Sequence, residues 1–285
     1  MAEINRSNII LTGPHRSGTT LTCHLLNKLT NVVALHEPMN MSGFSQAKSR
    51  EQMVDQVQSF FVDARRSITD DGVVASKHCG GEVPDNTYTD KINPNTGKRI
   101  KKAMIASETI SIDKQLDEGF SIVVKHPAAF TALLSSLTGR FPVYAVVRNP
   151  LSILLSWNSL DLAVSNGRAP AAEKIDTSLA LALDRIEDKI DRQIFLLGWY
   201  FQQYKLFLPR TSVIYYEELI SSRGGVLEIV AATGGVINET LQSKNDNPVY
   251  DQYLRAELID RLRSTDESWG GWGFYSKKEV LSDRL

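Results

Sequence analysis

A turn bracketed by glycines near the start of the chain has the composition of an anion-binding loop. Gly13 and Gly18 enclose four residues, and the hydroxyl residues Thr19 and Thr20 follow them. Backbone N–H groups in such a turn, at the positive end of a helix dipole, can hold a phosphate-like group. The nucleotide-triphosphatase pattern G-x-x-x-x-G-K-[ST] fits both glycines, but Thr19 occupies the position of its lysine. The cation within the loop is Arg16, which favours a phosphate-like group other than an ATP γ-phosphate held with magnesium. A purely structural glycine turn is the alternative.

A carboxylate is expected close to this loop. Glu37 comes just after the apolar run 31–35, and in an open parallel sheet ligands bind beyond the carboxyl ends of the strands. A carboxylate there would repel a bound phosphate unless it served as the base for an incoming hydroxyl or paired with a cation such as Arg16. A purely structural ion pair is the second interpretation.

A lysine and a histidine are the next candidates. Lys125 and His126 follow the apolar run 120–124 and should reach the same edge of the sheet as Glu37. Because adjacent residues of a strand point to opposite faces, we expect only one of the two side chains to point into the site. The other would pack or form hydrogen bonds elsewhere.

A second phosphate position is indicated further along the chain. Arg148 follows the apolar run 142–147, and Ser156 lies two turns into the helix expected after it. An arginine fork and a hydroxyl could together hold a phosphate, so with the glycine loop they suggest a ligand phosphorylated at two separate places. Tyr216, after the run 211–215, could stack on a base or hydrogen-bond a phosphate, although a half-buried aromatic residue there needs no ligand.

Short apolar runs predict the strands that must position these residues. They lie at 8–11, 31–35, 120–124, 142–147 and 211–215. Amphipathic patterns predict helices after the glycine loop and at 43–68, 127–137, 173–208, 225–232 and 249–262. This alternation predicts an α/β fold, with a P-loop-like parallel sheet of about five strands flanked by helices, in a single domain over residues 1–285.

Two regions stand apart from this alternation. Residues 79–97 are rich in glycine, proline, asparagine and aspartate and predict a long loop, within a loop-rich insertion at about 79–105. The basic cluster 98–102 that follows could meet an anionic ligand, although a solvated face is the commoner meaning of such a run. The tail at about 264–285 is rich in glycine and aromatic residues, and it either closes over a ligand or packs against the domain.

Composition argues against several classes of protein. The net charge of −1 offers no general attraction for nucleic acid, so we expect no nucleic-acid partner. The sequence shows neither an apolar stretch of membrane-spanning length nor the pattern of a signal peptide. We therefore expect no membrane association and a cytoplasmic location, although a Golgi enzyme without its anchor would look the same.

Cys23 with His24, and His78 with Cys79, are adjacent residues without a suitably spaced third ligand, so we expect neither a metal site nor a disulfide framework.

The order of these motifs resembles the PAPS-dependent sulfotransferase superfamily, whose donor is 3′-phosphoadenosine 5′-phosphosulfate (PAPS). The run 16–21, RSGTTL, resembles its 5′-phosphosulfate loop. The resemblance implies that the 5′-phosphate is held by Arg16, Ser17, Gly18, Thr19 and Thr20. Arg148 and Ser156 resemble its 3′-phosphate clamp, and 215–219, which includes Tyr216, resembles a later shared segment. The resemblance extends from about residue 8 to residue 235.

Within the superfamily, the chain is most similar to the tyrosylprotein and carbohydrate sulfotransferases. Their proposed base is a glutamate just after the second strand, which implies this role for Glu37. The pattern Lys125-x-Pro127 resembles the tyrosylprotein branch, where the lysine stabilises the transferring group. Cytosolic sulfotransferases use a histidine base near this point, so His126 could share or take the role of Glu37. The insertion and the tail do not resemble the tyrosylprotein branch.

The resemblance implies direct, in-line transfer of a sulfuryl group from PAPS to an acceptor hydroxyl, with no covalent enzyme intermediate and no required metal. Glu37 would take the acceptor proton, while Lys125 and Arg16 would stabilise charge on the departing nucleotide. A carbohydrate or another small molecule is the favoured acceptor, whereas a peptide tyrosine and the oligomeric state stay open. The alternatives are a kinase-like phosphotransferase with a degenerate P-loop, a non-catalytic protein that binds 3′,5′-ADP or another nucleotide, and a polysaccharide-binding module that uses the basic cluster.

Overall fold

The computed structural model describes residues 5–104, 108–231 and 235–281. Its strands, in chain order, are β1 (Asn8–Thr12), β2 (Val32–His36), β3 (Val73–Ala75), β4 (Tyr88–Ile92), β5 (Arg99–Lys101), β6 (Thr109–Ser111), β7 (Ser121–Lys125), β8 (Val143–Val147) and β9 (Val213–Tyr215). Five of them form a parallel sheet in the order β2-β7-β1-β8-β9. The predicted single α/β domain, with a five-stranded parallel sheet flanked by helices, is confirmed. Each predicted apolar run overlaps one strand of this sheet.

The helices of the described ranges surround this sheet. They are α1 (Thr19–Leu26), α2 (Arg50–Asp71), α3 (Pro127–Ala132), α4 (Leu134–Leu137), α5 (Pro150–Asn158), α6 (Pro170–Glu173), α7 (Thr177–Asp184), α8 (Lys189–Phe207), α9 (Tyr216–Ser221), α10 (Gln252–Arg263) and α11 (Lys277–Val280). Short 3-10 segments occur at Met41–Gln46, Ala163–Asn166, Arg210–Ser212, Gly225–Ile229 and Gly270–Gly273.

The sheet divides the core into two layers. Ile10 packs in the larger layer, which contains buried residues of α2 and α8, whereas Ile9 and Leu11 pack in the smaller layer with α1. Strands covered on both faces need apolar side chains at every position, which is why these strands read as continuous apolar runs in the sequence. The order of the strands reverses at β1, between β7 and β8. In such sheets a crevice opens at this reversal, beyond the carboxyl ends of the strands.

Several predicted helices differ from the structure, and polar caps interrupt the longest of them. The prediction of one helix over 173–208 is wrong: the segment contains the end of α6, then α7 and α8. Asp176 and Asp188 each accept hydrogen bonds from two backbone N–H groups at the start of α7 and α8, so each acts as an N-cap. The predicted helix 127–137 is divided at Leu133 into α3 and α4. The predicted helix 43–68 begins only at Arg50, and 225–232 contains a 3-10 segment over Gly225–Ile229 within the described residues.

The insertion is more ordered than its composition indicated. The prediction of a continuous loop over 79–97 is wrong, because β4 pairs with β5 in an antiparallel hairpin. A second antiparallel pair joins β3 to β6. Arg99 of the basic cluster is buried, and it donates to the Asp90 carboxylate at 2.7 Å and to the carbonyl oxygen of Thr89 at 2.8 Å. Part of the positive charge of the basic cluster therefore stabilises the hairpin itself. Residues 105–107, at the end of the predicted insertion, lie outside the described residues.

The aromatic tail packs against α8. The Trp269 indole N–H donates to the carbonyl oxygen of Ile194 at 3.0 Å, and the Phe201 ring lies 5.4 Å from that of Phe274, centroid to centroid. Of the two interpretations of the tail, the structure supports packing against the domain over residues 264–281. Residues 282–285 lie outside the described part of the chain.

Within residues 5–104, 108–231 and 235–281, no helix combines the length and the apolar character that crossing a bilayer requires. Cys23 and Cys79 both carry free thiols. The cytoplasmic location stays a prediction, as does the division of the chain into a core, an insertion and a tail.

The contact between the tail and α8 can be tested with Gly270→Ala. A Cβ atom at Gly270 would lie 2.3 Å from the carbonyl oxygen of Gly198 and 2.8 Å from the backbone N of Gln202, so the two segments would have to separate. We expect the free energy of unfolding, measured in urea, to fall by about 1–3 kcal/mol. Gly119→Ala is the matched control, because a Cβ atom there meets nothing within 4 Å. Equal losses in the two variants would show that the tail does not pack closely on α8.

Candidate active site

The glycine turn between β1 and α1 has the backbone geometry of an anion-binding loop. Arg16 and Gly18 both have positive φ angles, of 72° and 106°, which turn successive N–H groups in one direction. A Cβ atom at Gly13 would lie 2.4 Å from the carbonyl oxygen of Val146, so only glycine fits this position. The first N–H groups of α1 have no partner within the helix. The Ser17 hydroxyl is fully buried and has no hydrogen-bond partner among the described residues. The loop therefore fits an anionic group with several acceptor oxygens.

The Glu37 carboxylate is held between two lysines. Its Oε1 lies 2.9 Å from Nζ of Lys125, and its Oε2 lies 2.6 Å from Nζ of Lys77. In the sheet, His36 at the end of β2 is in register with Lys125 at the end of β7, and the Glu37 N–H donates to the Lys125 carbonyl at 2.9 Å. Glu37 itself has a φ of 46°, a left-handed conformation that is uncommon for a non-glycine residue and occurs often at functional sites.

Lys77 was missed by the sequence analysis. Its N–H donates to the His36 carbonyl at 2.9 Å, and the Ser76 hydroxyl accepts from the His36 N–H at 3.1 Å. These bonds place the segment after β3 beside the end of β2. The available signal was the short apolar run 73–75 with a lysine two residues after it, whereas Lys125 follows its apolar run directly.

The two lysines determine the charge state of Glu37. Burial alone would raise the pKa of this carboxyl, but the cationic groups around it, Lys125 foremost and Lys77 with it, hold the pKa well below its usual range. Glu37 is therefore ionised at neutral pH. The resulting cluster of one carboxylate and two ammonium groups carries a net positive charge beside the anion-binding loop.

Two histidines near this cluster are neutral. Burial lowers the pKa of His126 to about 3, and its Nε2 accepts a hydrogen bond from the Met39 N–H at 3.2 Å. Burial also lowers the pKa of His15 to about 4, and its Nδ1 lies 3.3 Å from the Tyr200 hydroxyl. His15 was missed, although its place inside the glycine turn was a signal. Lys125 lines the central side of the site, whereas His126 lines the adjoining cavity and packs against the Phe130 ring, with the ring centroids 5.0 Å apart. The prediction that only one of the two side chains points into the site stays a prediction.

Arg16 forms no ion pair with Glu37. Its Nε donates to the Ser156 hydroxyl at 3.3 Å, its Nη2 donates to the Asn86 amide oxygen at 2.9 Å, and its guanidinium lies 5.5 Å from the centre of the Tyr88 ring. The cations that pair with Glu37 are therefore Lys77 and Lys125, and not Arg16. Ser156 is fully buried beneath Arg16.

Arg148 connects the loop to a segment near the C-terminus. Its Nε donates to the Asn245 amide oxygen at 2.7 Å, its Nη1 donates to the Arg16 carbonyl at 3.0 Å, and its Nη2 contacts the Lys244 carbonyl. The Arg148 guanidinium stacks on the Tyr216 ring at 4.7 Å from its centre, and the Tyr216 hydroxyl accepts from the Lys244 N–H at 3.0 Å. The ring also lies against Gly18, where a Cβ atom would be 2.8 Å from it. The predicted roles of Arg148, Ser156 and Tyr216 in phosphate binding stay predictions.

Three cavities follow one another along this site. The loop cavity, of about 330 Å³, is lined by Gly18, Thr20, Arg148, Tyr216 and Lys244 among others. The central cavity, of about 320 Å³, shares Arg16, Thr19 and Thr20 with the loop cavity and also contains Glu37, Lys77 and Lys125. The apolar cavity, of about 610 Å³, shares His15, Glu37, Lys77, Pro127 and Leu162 with the central cavity. Glu37 and Lys77 thus face both the central and the apolar cavity.

The lining of the loop cavity also includes four residues that were not singled out in the sequence: Thr240, Leu241, Gln242 and Lys244. They lie in a stretch without regular secondary structure, so no periodic pattern marked them. Among the described residues, no group of three or more His, Cys, Asp or Glu side chains is arranged to hold a metal ion. The expectation of transfer without a metal stays a prediction.

Comparison with known proteins gives little further information. No family model matches the chain, and no curated protein matches it. Among solved structures, the chain is similar to the sulfotransferase domain from the Synechococcus PCC 7002 olefin synthase, with 13% sequence identity. The match covers 93% of this chain and 90% of that chain, with a TM-score of 0.37. A likeness at this TM-score defines neither a fold nor an activity.

Replacing Lys77 should alter the acid stability of the protein. A carboxyl whose pKa is lower in the folded than in the unfolded state stabilises the fold above the unfolded pKa, and this stability is lost as the pH falls through the folded pKa. Lys77→Met removes one cation from Glu37 and so raises the pKa of Glu37. We expect the variant to be less stable than the parent at pH 7 and to lose less stability on acidification, as measured by urea unfolding from pH 7 downwards.

The exposed residue Lys174 provides the control for this experiment. Lys174→Met should retain the pH dependence of the parent protein. If Lys77→Met also retained it, the contact between Lys77 and Glu37 would not determine the charge state of the carboxyl.

Proposed function

We propose that the protein is a sulfotransferase that moves a sulfuryl group from PAPS to the hydroxyl group of an acceptor. The observation that carries this proposal is the position of Glu37, which lines both the central cavity beside the anion-binding loop and the adjoining apolar cavity. A carboxylate next to an anion site has a chemical use if a hydroxyl approaches from the other side and transfers its proton to it. In this arrangement the loop holds the donor, the Glu37 carboxylate acts as the base, and the apolar cavity holds the acceptor.

The residues around the loop fit a donor with two separate anionic groups. The N–H groups at the start of α1, together with Thr19 and Thr20, which line the loop cavity, would hold the 5′-phosphate. Arg148, on the loop cavity, supplies charge for the 3′-phosphate. Lys244 lines the same cavity, but its Nζ is paired with the Asp90 carboxylate at 3.1 Å. We assign Ser156 a positioning role, because its hydroxyl is buried and accepts from Arg16.

In the transfer step, the acceptor oxygen forms a bond to sulfur while the bond between sulfur and the bridging phosphate oxygen breaks. The electron pair of the broken bond stays on the nucleotide phosphate, and the acceptor proton passes to the Glu37 carboxylate. Glu37 is favoured over His126 as the base, because Nε2 of His126 already accepts a hydrogen bond from the Met39 N–H. His15, a neutral imidazole on the same cavity, can orient the acceptor hydroxyl.

The lysines couple the basicity of Glu37 to donor binding. While both ammonium groups contact Glu37, its pKa is low and the carboxylate is a weak base. A lysine that turns towards the negative charge of the donor leaves Glu37 with one cation fewer, which raises the pKa of the carboxyl. The same movement stabilises charge on the departing nucleotide.

Donor specificity is tested by thermal unfolding with 3′,5′-ADP, 5′-AMP, or ATP with magnesium. We expect 3′,5′-ADP to stabilise the protein most, because only this nucleotide places phosphates at both positions of the site. At a hundred times its dissociation constant it should add about 2.7 kcal/mol to the free energy of unfolding.

Arg148→Lys keeps the charge but loses the planar fork, so it should weaken 3′,5′-ADP binding by at least about tenfold. Arg66→Lys, at an exposed position on α2, is the matched control and should bind as the parent does. Stronger stabilisation by ATP with magnesium, or no stabilisation by any of the three nucleotides, would contradict the proposed donor.

The role of Glu37 is tested by the turnover of Glu37→Gln. This variant keeps a similar shape but cannot take a proton, so we expect kcat to fall by about a hundredfold or more while 3′,5′-ADP binding is retained. Glu51→Gln, at an exposed position in the first turn of α2, should keep the parent rate. Full turnover by Glu37→Gln together with loss of turnover in His126→Asn would transfer the role of base to His126.

A further inference from the structure

We infer that the acceptor is an alcohol with one hydroxyl group on an apolar body, and not a carbohydrate. This inference rests on the proposed function, because it concerns the occupant of the apolar cavity. At about 610 Å³, the apolar cavity is large enough for a small-molecule ligand. Glu37, Lys77 and His15 lie where it meets the central cavity, and this placement determines which acceptor fits.

The walls of the apolar cavity are formed by hydrocarbon and thioether side chains. Its lining includes Met39 and Met41 from one side, Ala128 and Ala129 of α3, and Leu162 and Val164 from the segment before α6. Residues 169–171, an alanine, a proline and an alanine, complete the wall. Such walls offer an acceptor no side-chain hydrogen bonds, and they favour burial of apolar surface.

Ionisable groups gather at the end of the cavity that adjoins the central cavity. Glu37, Lys77 and His15 line both cavities, so they mark the place where the two meet. His126 also lines the apolar cavity, but its Nε2 is engaged by the Met39 N–H. This end can therefore receive one hydroxyl group and orient it towards the base.

The remaining charged residue of the lining is Arg168, and its charge is already neutralised. Its Nη1 lies 2.5 Å from the Asp184 carboxylate, and its Nη2 contacts the Glu173 carboxylate. Arg168 therefore does not provide a free cation for an anionic acceptor. The lining of the apolar cavity also contains one amide side chain, that of the exposed residue Asn40.

A sugar would bind this cavity poorly. Its ring carries hydroxyl groups in several directions, and those that faced the apolar walls would lose their hydrogen bonds to water without replacement. An alcohol with a single terminal hydroxyl meets polar groups at one end and apolar side chains along the rest of its length. The cavity therefore selects an acceptor by the position of its polar group as well as by its size.

The inference is tested by calorimetric binding of linear 1-alkanols of four to eight carbons, their α,ω-diols and glucose to the purified protein. We expect each added methylene group to tighten alkanol binding by about fourfold, which corresponds to about 0.8 kcal/mol. A diol should bind at least about tenfold more weakly than the alkanol of the same length, because its second hydroxyl is buried without a partner. With PAPS, the preference in kcat/KM should follow the same order.

Two variants locate this binding in the apolar cavity. Ala171→Phe places a ring in the cavity and should weaken octanol binding by at least about tenfold, because bulk replaces the space for the chain. Ala182→Phe, at a half-buried position of α7 outside the lining, is the matched control and should bind octanol as the parent does. Val164→Thr gives a second test without added bulk, because Val164 lines only the apolar cavity and a hydroxyl on this wall should narrow the difference in affinity between alkanol and diol.

The outcomes separate this inference from the proposed function. Stabilisation by 3′,5′-ADP combined with tighter binding and faster turnover of glucose or of the diols would overturn the acceptor assignment and leave sulfuryl transfer intact. Alkanol binding that depends on chain length but occurs without any stabilisation by 3′,5′-ADP would overturn sulfuryl transfer, and with it the role of the alcohol as acceptor. Octanol binding that is equal in Ala171→Phe and Ala182→Phe would overturn the assignment to this cavity.

Discussion

The arrangement of the site depends on one half-buried carboxylate that is shared by two lysines. An ionised glutamate removed from water is costly unless cations and hydrogen bonds replace the lost hydration, and here Lys77 and Lys125 do so. The contacts require the ends of β2 and β7 to lie in register and the segment after β3 to bond to His36. They also hold Glu37 in a left-handed backbone conformation, whose cost of about 1–3 kcal/mol the surrounding contacts offset. The sheet therefore positions the site through its register and through its strand order.

Anion affinity in this protein is a local property. The chain as a whole carries a net charge of −1, yet Arg16 and Arg148 lie next to each other, and within the described ranges neither forms an ion pair. Amide oxygens of Asn86 and Asn245 and backbone carbonyls accept from their guanidinium groups instead. Burial and the nearby charge of Arg99 lower the pKa of Arg16 to about 10. An anionic ligand would supply the countercharge that the protein itself does not, so composition alone could not have indicated this site.

The sequence predicted what depends on local pattern and missed what depends on distant pairing. Continuous apolar runs located the sheet, and the residues that follow them located Glu37, Lys125 and Arg148, because parallel strands end at one edge. Lys77 escaped notice since its position depends on a backbone pairing between β2 and the segment after β3, about forty residues apart in sequence. The hairpin β4–β5 was hidden by its polar composition, and the breaks around α7 depended on single aspartate caps within an otherwise helical pattern. The predicted phosphate clamp of Arg148 and Ser156 illustrates a further limit, because spacing along a helix does not reveal that Arg16 donates to the Ser156 hydroxyl.

The apolar cavity and the charged cluster beside it strengthen each other. In the proposed reaction, an apolar acceptor that filled the cavity would displace water from one side of Glu37, Lys77 and His15, and charges interact more strongly where water is excluded. The same displacement raises the cost of leaving Glu37 ionised with fewer cations, so the carboxylate becomes a better base once a lysine turns to the donor. Acceptor burial and donor charge then act on one group from opposite sides. A carbohydrate would carry its own hydroxyls, and the water bound to them, into the cavity and would weaken this coupling. The pKa of Glu37 would then stay low, and the carboxylate would stay a weak base.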